Sequence, residues 1–204
     1  MVVQDRLLVV SWGEVARKVN VRSIRKSLLS ALFGIGVRDG KIVPSRTLAE
    51  LGIDDRPPGL SEPEQQATIR DLLMARSGVY HPAAYEDPEQ KSLRPERGSH
   101  VPGSFWYYNN WDFNALGAIY ERPVGSGIFD ALEVEIARPI GMEDFKAGDG
   151  QLVYEPETDY PAYTMRLTAR DLARFGWLYA NRGDWRGSQS CLLSGCRNRP
   201  EPGP

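Results

Sequence analysis

From Ser23 to Val37 the chain reads as one mostly apolar helix, with Ile24, Leu28, Leu32 and Ile35 recurring on one side. A helix of this composition is a core element, and other layers have to cover it. Its other side carries Ser23, Lys26, Ser27, Ser30 and Gly34, a small and polar stripe on a segment that otherwise looks buried. At its head stands Ser23-Ile24-Arg25-Lys26, an S-x-x-K tetrad. Residues three apart on a helix share a face, so a hydroxyl nucleophile has an amine within reach to take its proton. Lysine serves as that base only when its ammonium form is destabilised, by burial or by neighbouring positive charge. A serine at a helix start also lies near backbone N–H groups and the positive end of the helix dipole, which favours a developing oxyanion. The same four residues also fit a plain N-cap serine with a surface lysine one turn on, and the tetrad alone does not choose.

The rest of the composition narrows the partners. The 204 residues suit a single domain of ordinary size, and 41% hydrophobic residues with a net charge of −2 fit a globular chain. That balance gives no reason to expect nucleic acid, and no apolar run approaches the length needed to span a bilayer. Met1 to Trp12 lacks a basic lead, a long apolar stretch and a small-residue cleavage site, so as written the chain reads as cytoplasmic. Both cysteines, Cys191 and Cys196, lie near the end, and no disulfide framework is implied.

Along the chain, Leu7 to Val10 reads as a strand running into a turn at Ser11-Trp12-Gly13. Residues 51–60 read as loop. Ser61-Glu62-Pro63-Glu64 has capping-box spacing and predicts a helix through about Arg76, stopped by Gly78. Residues 81–103 form a polar, proline-rich irregular stretch, and residues 144–163 read as irregular too. Helices are expected over 111–121, 128–138 and 168–181, the last capped by Thr168 with Leu172, Phe175 and Tyr179 on one face. The domain is drawn as 1–187, followed by an aperiodic tail, 188–204, read as aberrant or disordered.

A second motif sits at Tyr108-Asn109-Asn110, a Y-x-N followed by Phe113-Asn114-Ala115-Leu116-Gly117. Together with the S-x-x-K segment it resembles the serine beta-lactamase/penicillin-binding-protein superfamily, most of all its class C beta-lactamase-like branch of esterases, D-amino-acid peptidases and amide hydrolases. Leu72 to Val79 is similar to that family's L-L-x-x-x-S-G-V helix end. Ala137 to Met142 resembles its P-L-G-M turn, and Thr168 to Gly176 its S-A-x-D-L-A-R-F-G helix. The likeness runs from about Ser11 to Gly187 in the family's order.

The resemblance implies an α+β fold: an antiparallel sheet flanked by helices, plus a helical lobe. It implies a serine hydrolase that cleaves a small-molecule amide or ester through an acyl-enzyme, with no metal or cofactor. Ser23 would be the acylated nucleophile and Lys26 its base or proton relay. Tyr108 would share proton transfer and protonate the leaving group, and Asn110 would bind the Lys26 side chain or the substrate amide. Tyr107-Tyr108-Asn109 also fits Y-x-N, but Tyr108 keeps Asn114 to Gly117 in the family's register.

The family's third element, K-T-G or H-x-G on a late strand, is missing. Lys146-Ala147-Gly148 falls too early, and His100-Val101-Pro102 does not fit. The sheet is therefore expected to be incomplete, with the likeness shortened at both ends. An alternative follows: an inactive fragment or binding module on the same scaffold. A helical interaction protein with chance motifs is a third reading. Elsewhere, Phe105, Trp106, Tyr107 and Trp111 read either as pocket lining or as core. Asp54-Asp55 reads as solvated, as do Arg22 and Arg25, while His81 and His100 lack metal-site spacing.

Overall fold

The computed structural model describes residues 1–4, 7–185 and 187–189. Contacts divide the chain into two compact units. One holds residues 1–39, 126–150 and 164 onward; the other holds 40–125 and 151–163. Small antiparallel sheets accompany the helices, an α+β arrangement. Among the described residues no helix is long and apolar enough to cross a membrane.

In the first unit, β1 (Val2–Gln4) pairs antiparallel with β2 (Leu7–Val10), the strand expected from the sequence. The short strand β3 (Val19–Asn20) pairs with the end of β5 (Ala162–Leu167), Val19 opposite Leu167. β4 (Gly150–Val153) and the start of β5 fall within the stretch 144–163, which is more regular than its composition suggests. Helix α1 (Ile24–Arg38) follows β3 and buries Leu28, Leu29, Ala31, Leu32, Phe33 and Ile35. It packs on the helical segment that begins as α6 (Ile128–Ala131) and widens to a π-helix over Leu132–Ala137. Ile24, placed on the apolar stripe by periodicity, is exposed, because it stands in the first turn before the helix enters the core.

Helix α7 (Ala169–Ala180) starts as its sequence predicts, with the Thr168 hydroxyl accepting the Asp171 N–H. Asp171 itself is fully buried and accepts three backbone N–H groups, from Glu143, Asp144 and Phe145, at 2.8–3.0 Å. The conspicuous acid of that helix is thus structural: it replaces water for three amides in the 143–145 loop. Asp144 takes the Thr168 hydroxyl and the Arg170 guanidinium. β6 (Asp184–Trp185) pairs with β7 (Ser188–Gln189), so the expected tail begins within a hairpin. The rest of the expected tail, including Cys191 and Cys196, lies outside the described residues.

In the second unit the helix expected over 62–76 is two helices, α2 (Glu62–Gln65) and α3 (Ile69–Leu73). The Ser61–Glu64 capping box is present, but Thr68 and Asp71 form a second one that restarts the helix. Leu48 N–H donates to Ala67 O, and Ile69 N–H to Arg46 O, which holds the break open. The polar stretch 81–103 contains α4 (Pro88–Ser92), capped by the Asp87 carboxylate on Gln90 N–H. Helix α5 (Trp111–Val124) packs on α3 and ends at Gly125 in the left-handed region.

Gly78 has φ +71°, and a Cβ there would meet the His100 carbonyl oxygen at 2.7 Å. Gly78→Ala is expected to cost roughly 1–3 kcal/mol through strain and backbone displacement, read as a lower urea midpoint at unchanged slope. A pH effect follows from Asp144, whose carboxyl is lowered to about 2, first by the Arg170 hydrogen bonds. The pair's contribution is present above the ordinary carboxylate range and is lost as pH falls through about 2. Asp144→Asn should flatten the parent's loss of stability between about pH 4 and pH 2, measured by urea unfolding across that window.

Candidate active site

The first unit presents the S-x-x-K tetrad on a backbone bent for it. β3 ends at Asn20, whose Oδ1 accepts the Arg22 N–H at 2.8 Å. Arg22 sits at φ +49°, a left-handed conformation that side chains rarely adopt. That single bend turns the strand into the helix: Ile24 N–H bonds to Val21 O, Arg25 N–H to Arg22 O and Lys26 N–H to Ser23 O. Ser23 is the exposed N-cap residue, and its side chain makes no cap bond. One turn on, Lys26 is buried to 5% exposure. The surface-lysine reading of the tetrad therefore fails: an exposed serine is followed, one turn on, by a buried lysine. Arg25, read as solvated, is buried to 2% exposure: the helix is enclosed on its Arg25 side as well as its apolar stripe, while Arg22 remains exposed.

The second unit carries Tyr108 and Asn110. Tyr108 is half-buried, its ring 6.2 Å from that of Phe113 and 6.5 Å from the indole of Trp106. Asn110, the N-cap residue of α5, is buried and donates its amide to the Tyr85 carbonyl at 2.6 Å. Four residues on, Asn114 donates to the adjacent carbonyl of Ala84 at 3.0 Å. Two asparagines on one helix face thus hold consecutive carbonyls of a neighbouring loop. Asn109 turns the other way, its Oδ1 accepting the Asp112 N–H. The aromatic group divides: Trp111 is core, Tyr107 is half-buried, and Phe105 and Trp106 are exposed.

A buried polar cluster in this unit departs from the sequence reading. Asp55, read as solvated, is buried and accepts from the Trp111 indole N–H at 2.7 Å, the Thr158 hydroxyl at 2.6 Å and the Asp159 N–H at 2.7 Å. His81 is buried too, with Nδ1 3.3 Å from the Asp55 carboxylate. Asp54 is the capping partner instead, accepting Leu60 N–H and Asp55 N–H, which hold its carboxyl below the usual range. Tyr160 donates to Asp54 O, and burial, with the Asp55 charge, pushes its phenol up to about 12. Ser77 likewise has a structural task, donating to Asp112 at 2.5 Å while its oxygen receives the Val79 N–H. Among the described residues no cluster of three or more His, Cys, Asp or Glu side chains is arranged to hold a metal.

The chain as a whole matches known proteins. The profile of the beta-lactamase family matches residues 17–190, and the chain belongs to that family. Its fold is shared by several solved structures. One is a Bacillus anthracis protein assigned as a 6-aminohexanoate-dimer hydrolase (TM-score 0.63, 21% identity, 89% of this chain and 52% of that one). Another is a beta-lactamase from Mycobacterium bovis (0.56, 21%, 89% and 53%). A third is a D-stereospecific amidohydrolase from Streptomyces sp. (0.55, 17%, 80% and 61%). The chain spans about half the length of the solved structures it matches. No curated protein sequence matches it.

The bend at Arg22 can be tested directly. Arg22→Val places a β-branched residue in the left-handed region and is expected to cost about 1–2 kcal/mol. Arg22→Gly should stay within about 1 kcal/mol of the parent. Equal stability of the two variants in urea unfolding would contradict the strained bend.

Proposed function

We propose that this chain is a serine hydrolase that cleaves a small-molecule amide or ester through an acyl-enzyme on Ser23. The observation that carries the reading is the exposed Ser23 hydroxyl set one helical turn from the buried Lys26 amine, in a chain of the beta-lactamase family. Ser23 Oγ attacks the substrate carbonyl carbon while its proton passes to Lys26. The tetrahedral adduct collapses, the bond to the amine or alcohol breaks, and the proton held by Lys26 returns by way of Tyr108 to the leaving atom, so that both side chains regain their starting state. Water then attacks the Ser23 ester, releases the acid and restores the hydroxyl. Burial of Lys26 is the condition such a base requires. In this reading Asn110 binds the substrate amide, one of its own amide hydrogens already donating to Tyr85 O. The hydrolases among the structural neighbours, a 6-aminohexanoate-dimer hydrolase and an amidohydrolase, support the amide part of that substrate class.

One observation favours a second reading, an inactive member or binding module on the same scaffold. The sequence holds neither K-T-G nor H-x-G, and one oxyanion donor is worth about a hundred- to a thousand-fold in rate. Stopped-flow release of p-nitrophenol from p-nitrophenyl acetate separates the two. Under the first reading the parent gives a burst of one equivalent, Ser23→Ala gives none, and Lys26→Met slows acylation by about a hundred-fold or more. A parent chain that is folded by circular dichroism and gives no burst selects the second reading.

A further inference from the structure

Phe105 to Asn109 runs without helix or turn, and the segment is pinned where it leaves the preceding turn. Gly103 N–H donates to Arg76 O at 2.8 Å and Tyr107 N–H to Ala75 O at 2.9 Å. In extended backbone, successive side chains face opposite ways. Tyr107 turns inward: its hydroxyl donates to Gln90 O at 2.8 Å and its ring meets Tyr80 edge-on at 5.7 Å. Phe105 is occupied as well, stacked on His100 with centroids 4.0 Å apart. Trp106 and Tyr108 share the remaining side. Their planes lie 23° apart, and Trp106 is 59% exposed on a backbone held by those two bonds.

A single exposed aromatic residue is ordinary on a protein surface. This one has a fixed backbone, a plane nearly parallel to that of Tyr108, and a position directly beside it. We infer that Trp106 determines substrate specificity, as a platform on which a flat, aromatic leaving group lies. The inference rests on the proposed function, in which Tyr108 returns the proton to the leaving atom. The departing group is then the part of the substrate nearest Tyr108, and an aryl ring there meets the indole in the offset geometry that aromatic pairs prefer. The substrate class narrows accordingly to aryl esters and anilides.

Two measurements test it on the full chain. The first compares kcat/KM for phenyl acetate and ethyl acetate in the parent, Trp106→Ala and Trp106→Phe. Removing the indole should lower the phenyl-to-ethyl ratio about 3- to 10-fold, mostly through KM, and phenylalanine should restore most of it. An equal loss on both esters, or none on either, overturns the inference. The second needs no turnover: acetanilide is titrated while the Trp106 indole N–H resonance is followed, assigned by its absence in Trp106→Ala. A saturable shift with acetanilide and none with N-methylacetamide supports the platform, and an unmoved resonance overturns it. A saturable acetanilide shift in a chain without an acylation burst sinks the catalytic reading alone. A burst with an unmoved resonance sinks this inference alone.

Discussion

Burying one amine sets the terms for the first unit. Taking an ammonium out of water is costly unless the surrounding structure compensates, so Lys26 at 5% exposure has to be held by a rigid, well-packed helix. Helix α1 meets that demand with a continuous row of buried Leu, Ala and Phe side chains and with its packing on the π-helical segment. Its start is fixed just as firmly. The Asn20 bond to Arg22 and the left-handed bend there end β3 and release the helix at Ser23, leaving the hydroxyl exposed and the amine inside. Strand, bend and buried helix are one device, and its product is an exposed serine with a buried lysine one turn away.

The second unit spends its buried polar groups differently. Asp55, Asp112, Asn110 and Asn114 are each committed to loop backbone or to other side chains, as Asp171 is in the first unit. Loops of this length keep one conformation only when their buried amides and carbonyls are paired. Several residues that look chemical in the sequence are therefore architectural. Asp171 and Ser77, both in stretches that resemble the family's, hold loop backbone in place. What stands out against that background is Tyr108, half-buried between a core phenylalanine and an exposed tryptophan.

Much of this was legible where the signal is local. The strand at Leu7–Val10, helix α1, the Thr168 cap and the capping box at Ser61 all follow from residues within a few positions of one another. The S-x-x-K and Y-x-N motifs pointed to the family that the profile match then showed. The second capping box, Thr68 with Asp71, and the Asp87-Pro88 start of α4 carried readable signals too, hidden inside stretches read as continuous helix and as loop. What no local pattern could give was the fate of Asp55 and Arg25. Asp55 is buried by Thr158 and Asp159, about a hundred positions away in sequence, and Arg25 lies on a helix enclosed on more sides than its apolar stripe announces. Long-range burial decides whether a charge is solvated, and periodicity reports only one face.

The most direct test of the central claim, that Ser23 is an activated nucleophile, is the intact mass of the full chain after incubation with a fluorophosphonate, followed by peptide mapping. The account predicts a single adduct carried by the peptide that contains Ser23, and none on Ser23→Ala. A folded parent that gains no mass, or an adduct mapped to another residue, would contradict it.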